Sequence, residues 1–348
     1  MINLEIAQLA SVSIHGIGIK NENEGINIST AGITLEDDLL KELLFKYFFK
    51  RFNEPEFYGF TFSNEDFTLN PMFNFARAIF KDPELLHNQS VFIAKHLYEQ
   101  SSHPNIKPGD LMIAYIKDLV IDEQMQDAIG IFKSESKDAF LQFKHEAKQI
   151  KIGYEQGVNV EKLDKGCLIL NDDESDGYKV CIVDKGNKNN EAQYWKDDFL
   201  NLKAKNDDYH NTKNIINLTT SFIKERLGPE FELEKFEQAG ILNRSKEYFK
   251  RVERFEDEDY EDRIFFSNKE IIDEFKAYKE EYVEENKQAL DTQFFVSPNA
   301  YKKNARYLRS VIKLDKNFHI YVHGNHDLIE KQSDEKGKFY KIYYDTES

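Results

Sequence analysis

Gly324-Asn325-His326-Asp327, inside the stretch YVHGNHDLIEK, has the residue types that metal-dependent phosphoesterases set at a strand end, where the Asn and His bind a metal ion. A two-metal site needs further ligands in a fixed order: Asp-x-His and Gly-Asp-x-x-Asp upstream, then a lone His and Gly-His-x-His downstream. The 22 residues after His326 contain no histidine, so half of that set is missing. Upstream, Asp208-Tyr209-His210 has the letters but opens a helical stretch, and Gly109-Asp110 lacks an Asp three residues on. The simpler reading is a strand, FHIYVHG, running into a turn of residues that tolerate left-handed backbone.

A second pattern, Glu135-Ser136-Lys137 after the apolar run IGIF, matches the Glu-x-Lys half of a metal-dependent nuclease, with Asp118 or Asp127 as the missing carboxylate. There the carboxylates would hold Mg²⁺ and the lysine would stabilise charge on the scissile phosphate. Alternating charges at a strand end are ordinarily solvated instead. The nine histidines show no zinc-type spacing. His319 and His323 share a strand face and with His326 form at most a weak transition-metal site, the alternative being half-exposed sheet histidines. No Walker loop occurs, and GIGIK lacks the third glycine and following helix of a dinucleotide site.

The remaining chemistry is cationic. Lys302, Arg306 and Arg309 recur at i, i+4 and i+7 in a stretch that opens with Ser297 as N-cap and Pro298 at the first helical position, beside an apolar stripe of Tyr301, Ala305 and Leu308. Lys303 and Lys313 extend this basic face. Each phosphate that such a face neutralises steepens the salt dependence of binding by about 0.9 in log–log slope. The competing reading pairs these cations with the chain's own carboxylates.

The frame that must position them is a chain of 348 residues, long enough for two domains or one large one, with 28 Phe and 18 Tyr to fill a core or a homodimer interface. The formal net charge of −16 repels a phosphate backbone at long range, so any nucleic-acid contact must be local. The N-terminus lacks the basic and apolar regions of a signal or transit peptide, and no apolar run is long enough to span a membrane, so a cytoplasmic protein is expected. The only cysteines, Cys167 and Cys181, lie in the strand-like runs KGCLIL and YKVCIVD, where they read as core residues in a reducing compartment.

Residues 1–33 read as short strands with tight turns. A helix follows, capped by Thr34, with Leu39, Leu40, Leu43, Leu44, Tyr47 and Phe48 as its apolar face, and then two more helices over NPMFNFARAIFKDP and QSVFIAKHLYEQSS. From Asp110 to Asp184 six strand-like runs with short polar turns predict an antiparallel meander. Beyond it the chain is mainly helical: one helix stopped by Gly228-Pro229, one over LEKFEQAGILNRSKEYFKRVERF, and one with a Ser267/Glu270 capping box. The acidic run Glu256–Asp262 reads as a solvated loop. The fold class expected is α+β: an N-terminal α/β region with an antiparallel sheet over residues 1–205, then a mainly helical region over 206–348 ending in a β-hairpin.

Taken together, GDLMIAYIKD, AIGIFKSESKDAFL, KLDKGCLIL, EAQYWKDDFL, FEQAGILNRSKEYFK and SVIKLDKNFHIYVHGNHDLIEK resemble, in order and over nearly the whole chain, the bacterial nucleoid-associated protein family, NdpA-like or YejK-like. The resemblance implies a non-enzymatic protein of the cytoplasm and nucleoid, with no catalytic residue and no cofactor, that binds double-stranded DNA and has enzymes that set DNA topology as candidate partners. It also implies a C-terminus of two strands around a variable turn, into which the GNHD letters fall. It supplies no residue-level binding motif. With net charge −16, two mechanisms stay open. In one, the basic helix together with Lys133 and Lys137 of FKSESK and Lys203 and Lys205 of NLKAK forms a local patch for DNA, or for RNA. In the other, an acidic surface docks on a DNA-handling protein such as a topoisomerase.

Overall fold

The computed structural model describes residues 2–52, 56–102, 106–121, 123–146, 149–184, 194–231, 233–286, 289–308, 311–322 and 328–346. The chain divides into two compact units, Met1–Lys205 and Asn206–Ser348.

The first unit is built on a nine-stranded antiparallel sheet. Its strands are β1 (Ile2–Asn3), β2 (Gln8–Ile17), β3 (Ile26–Ile28), β4 (Phe57–Phe60), β5 (Gly109–Ile121), β6 (Gln124–Ser134), β9 (Lys165–Leu170), β10 (Lys179–Asp184) and β11 (Leu202–Ala204). They run in the order β11-β4-β10-β9-β6-β5-β2-β3, with β1 on β5. The strands β7 (Asp138–Glu146) and β8 (Gln149–Gly157) pair only with each other, so the expected meander is interrupted: β6 pairs with β9, and β7–β8 leaves the sheet as a separate ribbon.

Helices cover both faces of the sheet. On one face, α2 (Pro71–Lys81), α3 (Leu86–Gln100) and a π-helical turn over Tyr194–Leu200 bury Met72, Ile79, Ile93, Leu97 and Trp195 against Leu111, Ile113, Ile129 and Cys167. On the other, α1 (Asp38–Phe49) lays Tyr47, Phe48 and Phe49 against Met112, Ala114, Phe132 and Leu168. The Phe48 and Phe132 rings stack at 4.0 Å. Gly130 makes that possible, because a Cβ there would stand 2.4 Å from the Phe132 ring. The cap of α1 is Asp37, which accepts from the N–H groups of Leu39 and Leu40 at 2.8 and 3.1 Å, rather than Thr34. Ile33 is held extended by its N–H bond to the Val12 carbonyl, which delays the helix start. Leu39, Leu40 and Leu43 consequently stay exposed, and only the later turns of the expected apolar face reach the core.

The second unit contains α4 (Asp208–Phe222), α5 (Gly228–Glu230), α6 (Lys235–Arg251), α7 (Asp257–Phe265), α8 (Lys269–Asn286) and α9 (Pro298–Asn304), with a two-stranded pair β12 (Arg254–Glu256) and β13 (Gln293–Phe295). Aromatic rings dominate its core: Phe222 meets Phe275 edge-on at 5.1 Å, Phe255 stacks on Phe294 at 4.5 Å, and Tyr260 sits among them with its hydroxyl bonded to Thr219 and Ser245. Three expectations are corrected. Gly228-Pro229 does not stop the helix, because π-helical turns over Ile223–Leu227 carry the chain on into α5. The acidic run is the start of α7, where carboxylates suit the positive end of the helix dipole. Ser267 is in the left-handed region at φ 54, and Asn268 caps α8 instead.

The C-terminus forms two successive hairpins, β14 (Val311–Leu314) with β15 (Phe318–Tyr321), and β16 (Ile329–Asp334) with β17 (Gly337–Ile342). They share a small core of Ile312, Val322 and Ile329 with Phe236 of α6.

Phe48→Ala should destabilise the first unit by about 3–5 kcal/mol, read as an earlier urea midpoint of fluorescence from Trp195, the only tryptophan. A second expectation concerns pH. Buried His15 accepts the Ser29 N–H at Nδ1 and meets Ser90 through Nε2, and burial, with a smaller push from His87, holds its imidazole below the ordinary range. Burial also lowers His96. The unfolded chain therefore takes up protons first: this stability is complete above about pH 6.5 and is lost as pH falls. The midpoint should drop between pH 7.5 and 5.5, with a shallower drop in His15→Gln; a flat wild-type profile contradicts this.

Candidate nucleic-acid interface

The expected basic helix is shorter than its spacing implies. Ser297 caps α9, its Oγ accepting from the Ala300 N–H at 3.3 Å, and Pro298 occupies the first turn. The helix ends at Asn304, whose side chain donates to the Ala300 carbonyl at 2.8 Å. Tighter turns follow, with the N–H groups of Tyr307 and Leu308 bonded three residues back, and they bring Leu308 into the core. Lys302 and Lys303 are exposed on the helix, with Lys303 5.5 Å above the Tyr209 ring. Arg306 lies in the turns beyond, exposed, stacked 4.8 Å from the Tyr307 ring and donating to its hydroxyl. Arg309 falls outside the described residues. Lys313 is exposed on β14, opposite His319, so the two share the outer face of their hairpin with Tyr321.

The candidates in the first unit are differently placed. Lys133 has no exposed surface: its ammonium donates to the Lys107 carbonyl at 2.7 Å, Glu135 at 2.8 Å and the Tyr194 hydroxyl at 3.4 Å. Burial lowers its proton affinity, which Glu135 partly restores. Lys205 is buried too, held by Asp173 at 2.6 Å and Asp176 at 2.7 Å. Both are therefore corrected from surface contacts to internal ion pairs. Lys137 and Lys203 remain half-exposed beside Asp110 and Glu65. Alternation could not reveal Lys133 as internal, because β6 is buried on both faces from Ala128 to Ser134 and has no outward side there.

The Glu-x-Lys pattern does not assemble a nuclease site. Glu135 is engaged by Lys133 next to the Asp110 end of β5, whereas Asp127 accepts from the Tyr115 hydroxyl and the Asp118 N–H near the other end. About seven residues of strand, roughly 23 Å, separate them. His210 of the Asp-x-His match is buried in α4 and bonded to Asp207. The letters His323–Asp327 lie outside the described residues. The described strands on either side pair elsewhere, β15 with β14 and β16 with β17, so the chain ends in a β-hairpin as expected, preceded by a second one.

Reading along one helix missed a longer signal. Residues 298–344 carry ten Lys and Arg against five Asp and Glu, in a chain whose net charge is −16. Lys316, Lys336, Lys338 and Lys341 are exposed among exposed Tyr307, Phe318, Tyr321 and Tyr344. Strand spacing disperses these cations, so no helical period marks them. Elsewhere in the same unit, β12, α7 and α8 line a cavity of about 730 Å³ in which Glu256, Asp257, Glu258, Glu261, Glu280 and Glu284 outnumber Lys276 and Lys279. Burial holds the Glu261 carboxyl above the usual range, against the pull of Lys276.

A family model described as nucleoid-associated protein YejK matches residues 13–348. No individual curated protein matches the chain.

Lys133→Ala leaves Glu135, only 13% exposed, without its cation and opens a void in a fully buried site, and should cost about 3 kcal/mol of stability, measured by urea denaturation at Trp195. In its folded fraction, salt-dependent binding to duplex DNA should equal that of wild type; a reduced salt slope would return Lys133 to the interface.

Proposed function

The chain belongs to the nucleoid-associated protein YejK family, and from that premise we propose that it binds double-stranded DNA in the bacterial nucleoid without catalysing a reaction on it. The contact runs through the basic C-terminal segment. Lys302, Lys303, Arg306 and Lys313 neutralise backbone phosphates, joined by Arg309 and the exposed lysines of the two hairpins. The observation that carries this reading is the reversal of charge sign over residues 298–344. At physiological salt, charges act over about 8 Å, so a local cationic surface attracts the phosphates it touches while repulsion from acidic residues further away is largely screened. The acidic remainder also opposes continuous coating of the duplex. Exposed aromatics among the cations suit contact with sugars or unstacked bases, which leaves single-stranded DNA or RNA as a competitor to be tested. No described helix is long and apolar enough to cross a membrane. An influence on DNA topology follows if the bound protein constrains the duplex or brings a topoisomerase to it.

A second reading is favoured by the acidic cavity between α7 and α8: the chain reaches the nucleoid by docking that surface on a basic DNA-handling partner.

Anisotropy of a labelled duplex across a salt series separates the two. Wild type should bind with a negative log–log slope. Lys302→Glu/Arg306→Glu/Lys313→Glu should lose at least ten-fold in affinity and about 0.9 of slope per lost contact. Salt-insensitive or absent binding by wild type removes direct DNA recognition and favours the partner route.

A further inference from the structure

The hairpin β14–β15 has one face committed to the core and one left over. Ile312, Leu314 and Ile320 turn inward with Phe236 of α6, so Val311, Lys313, His319 and Tyr321 are held outward. Register pairs Val311 with Tyr321 and Lys313 with His319, so two rings follow one another along β15 and Lys313 stands across from His319. Tyr321 is 58% exposed, and Lys313 and His319 are exposed beside it. Same-face neighbours on a strand stand roughly 6.6 Å apart, two steps of about 3.3 Å. Bases stack about 3.4 Å apart along a nucleic-acid strand, so a gap of that width admits one base between the two rings.

We propose that the outer face of β14–β15 is a site for a single unpaired base of DNA, held between Tyr321 and His319 with its phosphate on Lys313. The site rests on the DNA contact proposed above and adds to it a preference for interrupted duplex. Charge and ring chemistry together select the occupant. An acidic peptide would use the cations and leave both rings idle, and an apolar peptide would leave Lys313 without a counter-charge. A nucleotide carries a flat ring and a phosphate, and so engages both. The surroundings favour the phosphate: Lys316 lies in the hairpin turn, and residues 298–344 carry ten Lys and Arg against five Asp and Glu. Asp315, the one carboxylate within residues 311–322, sits in that turn in left-handed backbone at φ 50, beyond the Lys313 and His319 pair. A base inside a paired duplex keeps its faces against its neighbours and reaches these rings only after leaving the stack. That step costs least where the base is already free, at a bulge, a gap or an underwound stretch.

The test offers the full chain two labelled duplexes, one fully paired and one with a single bulged 2-aminopurine, and reads both anisotropy and the emission of the bulged base. Wild type should hold the bulged duplex roughly ten-fold more tightly, and the emission should fall as the base enters the slot. Tyr321→Leu/His319→Leu keeps apolar bulk on the strand but removes both ring faces, and should bring the ratio of affinities to about one. Tyr321→Phe keeps the ring and should keep the ratio. If the leucine variant misfolds, hydrogen exchange on wild type decides: β15 amides should slow more with the bulged duplex than with the paired one. Equal affinity for the two duplexes overturns the site, as does a bulge preference that the leucine variant retains. Tighter binding of single-stranded RNA through the same residues gives the slot to RNA and overturns the assignment to DNA. Binding of the paired duplex without a bulge preference sinks this site alone, whereas binding of neither duplex sinks the direct DNA contact with it.

Discussion

Burial of β5, β6 and β9 on both faces is the constraint from which the first unit follows. A strand with no solvent side cannot alternate, so its sequence runs nearly continuously apolar, as in LMIAYI and KGCLIL. It then needs two covering layers, supplied by α1 on one face and by α2, α3 and the Tyr194–Leu200 turn on the other. It also leaves charged residues at the strand ends without water. Lys133 finds Glu135, Lys165 finds Asp184 at 2.9 Å, and Tyr194 lies against both lysines, 5.2 Å from Lys165 and 5.8 Å from Lys133. Such pairs add little net stability but are costly to break, so they tie the ends of β6, β9 and β10 to one arrangement.

The second unit solves its packing with rings. Its aromatic content serves a core, and the hydroxyl that Tyr260 carries into it is satisfied on two sides, by those of Thr219 and Ser245. Because Leu308 is anchored in that core, the chain just before it must surface, and Lys302, Lys303 and Arg306 go outward with it. Packing an apolar residue thus displays the cations around it.

Much of this was legible in the residues. Periodicity located α1, α2, α3, α6 and α8, Ser297-Pro298 marked the start of α9, and one of the expected short polar turns joins β9 to β10, with Asp173 and Gly177 in left-handed backbone. The misreadings share a cause: local patterns were decided by distant contacts. Thr34 lost its cap because Val12 holds Ile33, and β6 skipped its nearest neighbour in sequence to pair with β9. Lys205 looked like a surface cation until Asp173 and Asp176, about thirty residues away, closed around it. In the cation-rich segment, the helical period marked only the first turns, since cations on strands carry no period that a helix template can detect.

Cys167 and Cys181 sit on adjacent strands yet point to opposite faces, the first among the α2 and α3 contacts and the second under α1. Their side chains diverge, so the sheet forbids a disulfide between them. Burial also pushes the Cys167 thiol far above its usual range, which keeps it from becoming a nucleophilic thiolate. With both sulfhydryls buried and no others in the chain, the folded molecule offers oxidants no sulfur with which to lock itself shut or join another copy. Under oxidising conditions, any association the folded chain makes is one without a disulfide.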